Sequence, residues 1–324
     1  MTEILQIPKL VTVFGGSGFL GRHTVRALAR RGYRVRVACR NPDLAGHLQP
    51  LGNVGQIQAI QANLRVRWSV DRAVEDADHV VNLVGILFEK GRQKFPAVQE
   101  FGARAVAEAT RAQGVGLTHV SAIGANPDSV SVYARTKAAG EHAVFETLPE
   151  AVILRPSIVF GPEDGFFNLF ANLARFSPFL PLIGGGKTKF QPVYVGDVAE
   201  AIARSVDGAD DGGKIYELGG PQVMSFRQCL EEILEVIERK RALVPLPWWL
   251  ASLQASILGL LPNPLLTTDQ VKLLRSDNVV SADAEAERRT FAGMGIQPQG
   301  TAAILPSYLW RYRAAGQFTR AGEA

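Results

Sequence analysis

The sequence predicts an α/β fold: a doubly wound parallel sheet followed by a smaller, mostly helical C-terminal cap. Three observations carry that prediction. Apolar strand segments alternate with helical periodicity through the first half, a glycine-rich turn joins the first strand to the first helix, and beyond Gly161 the alternation loosens into loops rich in Pro and Gly. With 324 residues, 47% of them hydrophobic, the chain can bury a large core and is not a disordered protein.

Strands are expected near residues 10–14, 34–39, 57–60, 78–84, 116–121 and 151–159, and helices near 19–31, 70–76, 99–113 and 134–147. The segments "HVVNLVG" and "AVILRPSIVFG" are almost continuously apolar, as central strands covered on both faces must be. Residues 1–160 therefore read as the sheet-containing core. Residues 161–324 read as the cap with returning core elements and a C-terminal tail, with helices near 168–175, 195–206, 225–240 and 249–261 and a short strand in "KIYELGG". Ser225 with Gln228, and Thr267 with Gln270, are spaced as capping boxes that start helices.

Cys39 and Cys229 lie far apart with no CxxC, which suggests neither a disulfide framework nor a zinc site; both read as buried apolar residues in a reducing compartment. "MTEILQIPKL" enters the first strand directly, without the apolar h-region of a secretory signal, so a cytoplasmic location is expected. The longest uncharged stretch, Ala242 to Thr268, is broken by prolines at 245, 247, 262 and 264. It leaves "WWLASLQASILGLL", shorter than the roughly 20 residues of a membrane span. Leu250, Leu253, Ile257 and Leu261 form one stripe of that helix, and Ser252, Ser256 and Gly259 a small opposite side. Either the helix is buried between other elements, or it is interfacial, with Trp248 and Trp249 at a membrane–water boundary and peripheral membrane contact as the consequence.

The formal charge is +4, and Arg22, Arg26 and Arg30 recur along one face of the first helix. That face is either simply solvated or a docking surface for an acidic partner or anionic lipid. Nucleic acid is not expected as a partner, since no basic run is interleaved with stacking aromatics.

The turn "FGGSGFLG" supplies the first chemistry. Gly15, Gly18 and Gly21 form G-x-x-G-x-x-G, and Gly16, Gly18 and Gly21 also satisfy G-x-G-x-x-G. One glycine permits a tight turn, one lets a pyrophosphate approach the backbone, and one lets helix pack on strand; the sheet is thereby of the Rossmann type. Gly15, Gly16, Ser17, Gly18, Phe19, Leu20, Gly21 and Arg22 would line the phosphates at the helix start. At the end of the second strand, where an acid would accept from ribose hydroxyls, the sequence has Arg40. A guanidinium pairs with a 2′-phosphate, so NADP(H) is preferred; if Arg40 instead stacks on adenine, NAD(H) binds comparably. Asn63 and Leu64 follow the third strand where the adenine amino group is met, and Leu83, Val84 and Gly85 end the fourth, where small residues admit the cofactor.

Ser121 ends the fifth strand, and Tyr133 and Lys137 are four apart on one helical face. An ammonium and an oxidised nicotinamide would draw a phenol toward working pH, Ser121 would orient a carbonyl or hydroxyl, and Tyr133 would exchange its proton. Tyr133 and Lys137 can equally hydrogen-bond the nicotinamide ribose without catalysis.

The glycine turn, Ser121, Tyr133-x-x-x-Lys137, "LRPSIVFGPED" and "QPVYVGDVAEAI" together resemble the short-chain dehydrogenase/reductase superfamily in its extended or atypical NAD-dependent epimerase/dehydratase branch. The resemblance implies that Pro156, Ser157 and Ile158 lie beside the nicotinamide, and that Val195 to Ala199 support the cap. Gln99 stands where that branch commonly has a proton-relay Asn, and only Lys187 and Lys189 offer themselves for a sugar diphosphate. "SVYARTKAAGE", "FGPEDGFFNLFANLARFSPFLPLIGGGKTKFQPVYVGDV" and "YLWRYRAAGQF" further resemble bacterial relatives of the nucleotide-binding accessory subunit of respiratory complex I. That likeness implies an NADP(H) held structurally, in association with complex I or a quinone-linked assembly at a membrane. The alternative is an active oxidoreductase or epimerase using Ser121, Tyr133 and Lys137 on a small carbonyl or sugar-nucleotide substrate.

Overall fold

A computed structural model describes residues 8–261 and 264–314. Pro262 and the last part of the "YLWRYRAAGQF" motif, residues 315–318, lie outside the described residues.

The first half alternates as the apolar periodicity requires. β1 (Leu10–Phe14) leads to α1 (Phe19–Arg30), β2 (Arg34–Cys39), β3 (Ile57–Gln61), α2 (Arg67–Val74) and β4 (His79–Asn82). A π-helical turn at Pro96–Glu100 runs into α3 (Phe101–Gln113), followed by β5 (Gly116–Val120), α4 (Val132–Thr147), β6 (Val152–Pro156) and a short β7 (Val159–Phe160). Then come α5 (Phe167–Phe176), β8 (Phe179–Ile183), β9 (Lys189–Phe190), β10 (Val193–Tyr194), α6 (Val195–Val206) and β11 (Ile215–Leu218). β12 (Met224–Ser225), α7 (Phe226–Val236), β13 (Ala242–Leu246), α8 (Trp248–Leu258), α9 (Thr268–Leu273), α10 (Ala282–Ala286) and α11 (Thr301–Leu309) complete the described chain.

Seven strands make one sheet in the order β3-β2-β1-β4-β5-β6-β11. The pairs from β3 to β6 are parallel. β11 runs the same way, since Ile153 N donates to Lys214 O and Ser157 N donates to Leu218 O. Val11, Val13, Val80, Val81, Ile153 and Leu154 are fully buried, which is what flanking helices on a central parallel sheet require. Chain order reverses direction between β1 and β4, which is the kind of switch point beyond whose strand ends open sheets of this class bind ligands.

The chain forms two compact units. One comprises the residues up to Pro127, Arg135–Arg155 and Ala199–Tyr216; the other Asp128–Ala134, Pro156–Val198 and Glu217 onward. The first unit's core joins Phe14, Val70, Val80, Val106, Leu117, Val144 and Ile153. On its α1, Arg26 and Arg30 are exposed and Arg22 is half-buried. The second unit has a core of its own, in which Phe160, Phe167, Phe226, Leu180, Leu230 and Leu305 meet. Here β13 pairs in parallel with β8, and both expected capping boxes form, at Ser225–Gln228 and Thr267–Gln270.

The uncharged helix α8 is not buried between other elements. Its buried residues are Ala251 and Ala255, while Leu253 and Ile257 of the expected apolar stripe face out. The small side chains allow the helix to pack closely on the unit.

Candidate functional site

The glycine turn closes on backbone hydrogen bonds. Gly15 N donates to Ala38 O at 3.1 Å, Gly18 N donates to Gly15 O at 3.0 Å, and Gly15 has φ +78°, in the left-handed region. A Cβ on Gly15 would stand 3.2 Å from Val84 Cγ2, which places the turn against the end of β4. One on Gly21 would lie 2.5 Å from the Gly16 carbonyl carbon, so the third glycine is required by helix-on-strand contact. α1 begins at Gly18 with no side-chain cap and no acid in its first turn, leaving its positive end suited to an anion.

In the first unit Arg40, Asn63, Leu64 and the run from Leu83 to Gly85 follow the carboxyl ends of β2, β3 and β4. The Gly15 N–H to Ala38 O bond couples the turn to the tip of β2, where Arg40 is exposed. Arg36, by contrast, is committed, its Nη1 donating to Ala73 O and Glu75 O. After β3 the Asn63 side-chain oxygen accepts from Arg65 N, which leaves one lone pair for an adenine amino group, and Leu64 is buried beside it. At the end of β4, Leu83 N donates to Phe14 O, and Asn82 Oδ1 accepts from Val84 N, fixing the run from Leu83 to Gly85.

Lys137 lies beneath Gly85, with its Nζ donating to Val120 O at 3.2 Å. Burial lowers its pKa to about 8, against the opposing attraction of Glu141. Glu141 is itself buried and takes a bidentate hydrogen bond from Arg155 at 2.8 and 2.5 Å. His119, which sequence reasoning missed, is fully desolvated; burial, with Lys137 adding repulsion, pushes its pKa down to about 3. The neutral ring bonds Asn82 Nδ2 at 3.1 Å. Ser121 Oγ is buried and has no hydrogen-bond partner among the described residues. An orphaned hydroxyl costs about 1–3 kcal/mol, and a ligand oxygen or amide would satisfy it. The glycine cradle, the uncapped helix start and this hydroxyl together fit a dinucleotide.

Gln99 is committed at both ends of its amide: Nε2 donates to Ile86 O at 2.9 Å, and Oε1 accepts from Thr136 at 2.6 Å. It joins the π-helical turn to α4 as a strut.

In the second unit, the start of α4 carries Tyr133. Asp269, from the first turn of α9, caps it: its carboxylate accepts from Ser131 Oγ at 2.6 Å, Val132 N at 2.9 Å and Tyr133 N at 3.0 Å. No sequence signal links residues 136 positions apart, and this cap went unseen. Asp269→Ala should lower stability by about 1–2 kcal/mol, read from the denaturant midpoint; an unchanged midpoint would remove the cap's importance. Burial pushes the Tyr133 phenol up to about 12. Ser157 Oγ donates to Asn278 at 2.7 Å, with Pro156 buried and Ile158 half-buried on either side. Lys187 and Lys189 are exposed loop and edge residues.

Comparison with known proteins gives this geometry a family. The sequence matches the NAD dependent epimerase/dehydratase family over residues 11–219. It is 35% identical over 322 residues to the mitochondrial NADH dehydrogenase [ubiquinone] 1 alpha subcomplex subunit 9 of Arabidopsis thaliana, covering 95% of this chain and 79% of that protein. It is also 35% identical over 193 residues to the ceramide reductase of Caulobacter vibrioides, covering 60% of this chain and 59% of that one. Among solved structures, the UDP-glucose 4-epimerase of Thermus thermophilus in complex with NAD superposes with a TM-score of 0.68 at 24% identity, over 94% of this chain and 99% of that one. The glycine cradle, the parallel sheet and these similarities agree: the chain belongs to the NAD dependent epimerase/dehydratase family, and its homologues include subunits of mitochondrial NADH dehydrogenase.

Proposed function

We propose that this chain is an NADP(H)-holding accessory subunit of respiratory complex I or a related quinone-linked assembly, peripheral to the cytoplasmic face of a membrane. The observation that carries the reading is the extent of the similarity to the Arabidopsis subunit, 95% of this chain. Arg40 at the exposed tip of β2 supports NADP(H) over NAD(H), because a guanidinium recognises a 2′-phosphate and cannot accept from a ribose diol. Gly15 to Arg22 would hold the pyrophosphate, Asn63 and Leu64 the adenine, Leu83 to Gly85 the centre of the cofactor, and Lys137 with Tyr133 the nicotinamide ribose. Pro156, Ser157 and Ile158 would border the nicotinamide. One feature favours holding over turnover: Gln99, at the relay position, is locked as a strut between Ile86 and Thr136. Among the described residues no helix is long and apolar enough to cross a membrane, so attachment would be peripheral.

A second reading rests on the presence of Ser121, Tyr133 and Lys137 and on the similarity to a ceramide reductase. A bound nicotinamide would supply hydride to a carbonyl that Ser121 orients, and Tyr133 would donate the proton. Tyr133→Phe separates the two. The structural reading expects nucleotide retained through dialysis, assembly intact and no reductase activity in either protein; a reductase activity present in the wild type and abolished in the variant contradicts it.

A further inference from the structure

We propose that the second unit docks on an anionic lipid bilayer through the outward face of α8 and the elements packed beside it. The inference rests on the peripheral-membrane part of the function proposed above and does not depend on which nucleotide is bound.

α8 is amphipathic in reverse. Its protein-facing side is Ala251 and Ala255, and its outward side is Trp249, Leu253 and Ile257, at 69%, 54% and 63% exposure and successive spacings of four. Leu260, at 85%, and Leu261 continue the exposed apolar surface past its end. β13, which leads into α8, pairs with β8, and each strand exposes a large apolar residue, Val244 and Phe179; Phe176 projects just before β8. A unit folding for water alone would turn these side chains inward. Clustered on adjoining elements, they mark a surface that another phase or molecule covers.

Charge says which. From Gly165 to Gly196 and from Arg239 to Thr268 there is not one Asp or Glu, although the whole chain carries 31 acids in 324 residues. About six would be expected in stretches of that combined length. The same stretches carry Arg175, Lys187, Lys189, Arg239, Lys240 and Arg241, and Arg275 stacks over the Trp248 ring at 5.5 Å. Aliphatic and indole side chains fit the acyl–headgroup boundary, and segments that carry basic side chains and no acid fit anionic headgroups. At 11 residues α8 is about 16 Å long, too short to span and suited to lying in the interface plane.

The test is co-sedimentation of the full, nucleotide-loaded chain with vesicles of phosphatidylcholine alone and of phosphatidylcholine with phosphatidylglycerol. The wild type should sediment with the anionic vesicles and far less with the neutral ones. Trp249→Ser/Leu253→Ser/Ile257→Ser, all outward-facing, should weaken partitioning roughly tenfold or more, and Arg175→Gln/Lys240→Gln should weaken only the anionic preference, several-fold. Nucleotide content, read on the same samples, should be unchanged in both variants. Failure of the wild type to sediment with anionic vesicles, or a triple variant that binds as the wild type does, overturns the proposal. If the wild type ignores vesicles while the triple variant falls off its respiratory assembly, the face is a protein interface and the lipid assignment is wrong. A wild type that retains its nucleotide but does not sediment with anionic vesicles would count against docking alone and leave the nucleotide-holding reading standing.

Discussion

Gly21→Ala is expected to produce a chain that retains no nucleotide through purification and is less stable by about 3 kcal/mol or more. The methyl group has nowhere to go. It would enter the van der Waals envelope of the Gly15 carbonyl oxygen and stand 2.5 and 2.6 Å from the Gly16 carbonyl carbon and Cα, all of them backbone atoms that no rotamer change can move. Relief requires α1 to lift from β1, and that displaces the uncapped helix start from the pyrophosphate position. Absorbance of released nucleotide and a denaturant melt check the two parts. Wild-type nucleotide content in this variant would show that the turn is not where the dinucleotide is held. Gly32→Ala is the control for the loss of a glycine as such, since a Cβ there meets nothing within 4 Å; its φ of +84° predicts a modest cost in stability and none in nucleotide content.

Arg40→Glu should weaken NADPH binding by about 100-fold and leave NADH within a few-fold. The substitution replaces a bidentate donor for the 2′-phosphate with a like charge, and supplies an acceptor for the ribose diol in its place. Because Arg40 is exposed at the end of β2 rather than packed in the core, the fold should be indifferent. Calorimetric titration of nucleotide-stripped protein with each cofactor measures the split. Equal losses for the two nucleotides would mean that Arg40 stacks on adenine and does not select.

The sheet was legible because burial on both faces leaves a continuous apolar signal: "HVVNLVG" and "AVILRPSIVFG" read as central strands, and Val80, Val81, Ile153 and Leu154 are fully buried. The capping boxes were legible because their partners are three residues apart. The glycine turn was legible for the same reason, its physics being local. What escaped notice depends on partners distant in sequence. Asp269 caps α4 across more than a hundred residues, Asn278 holds Ser157 across 121, and Glu141 meets Arg155 only because β6 returns beside α4. α8 left two readings open for a different reason. Its composition shows an apolar helix without a charged face, and which side packs is set by the unit beneath it, where Ala251 and Ala255 are buried. Gln99 was visible as a departure from the family pattern, yet its role as a strut follows only from Ile86 and Thr136 converging on one amide.

In the function proposed above, the glycine turn beside β1 holds NADP(H) and the chain does not use it. The most direct measurement is to purify the chain from its native membranes, denature it, identify the released nucleotide by mass, and follow exchange of the bound nucleotide against isotopically labelled NADPH beforehand. The account predicts one NADP(H) per chain, exchanging on a timescale of hours and unchanged by carbonyl substrates. Release of NAD(H), or exchange within seconds accompanied by oxidation when a carbonyl is added, would contradict it.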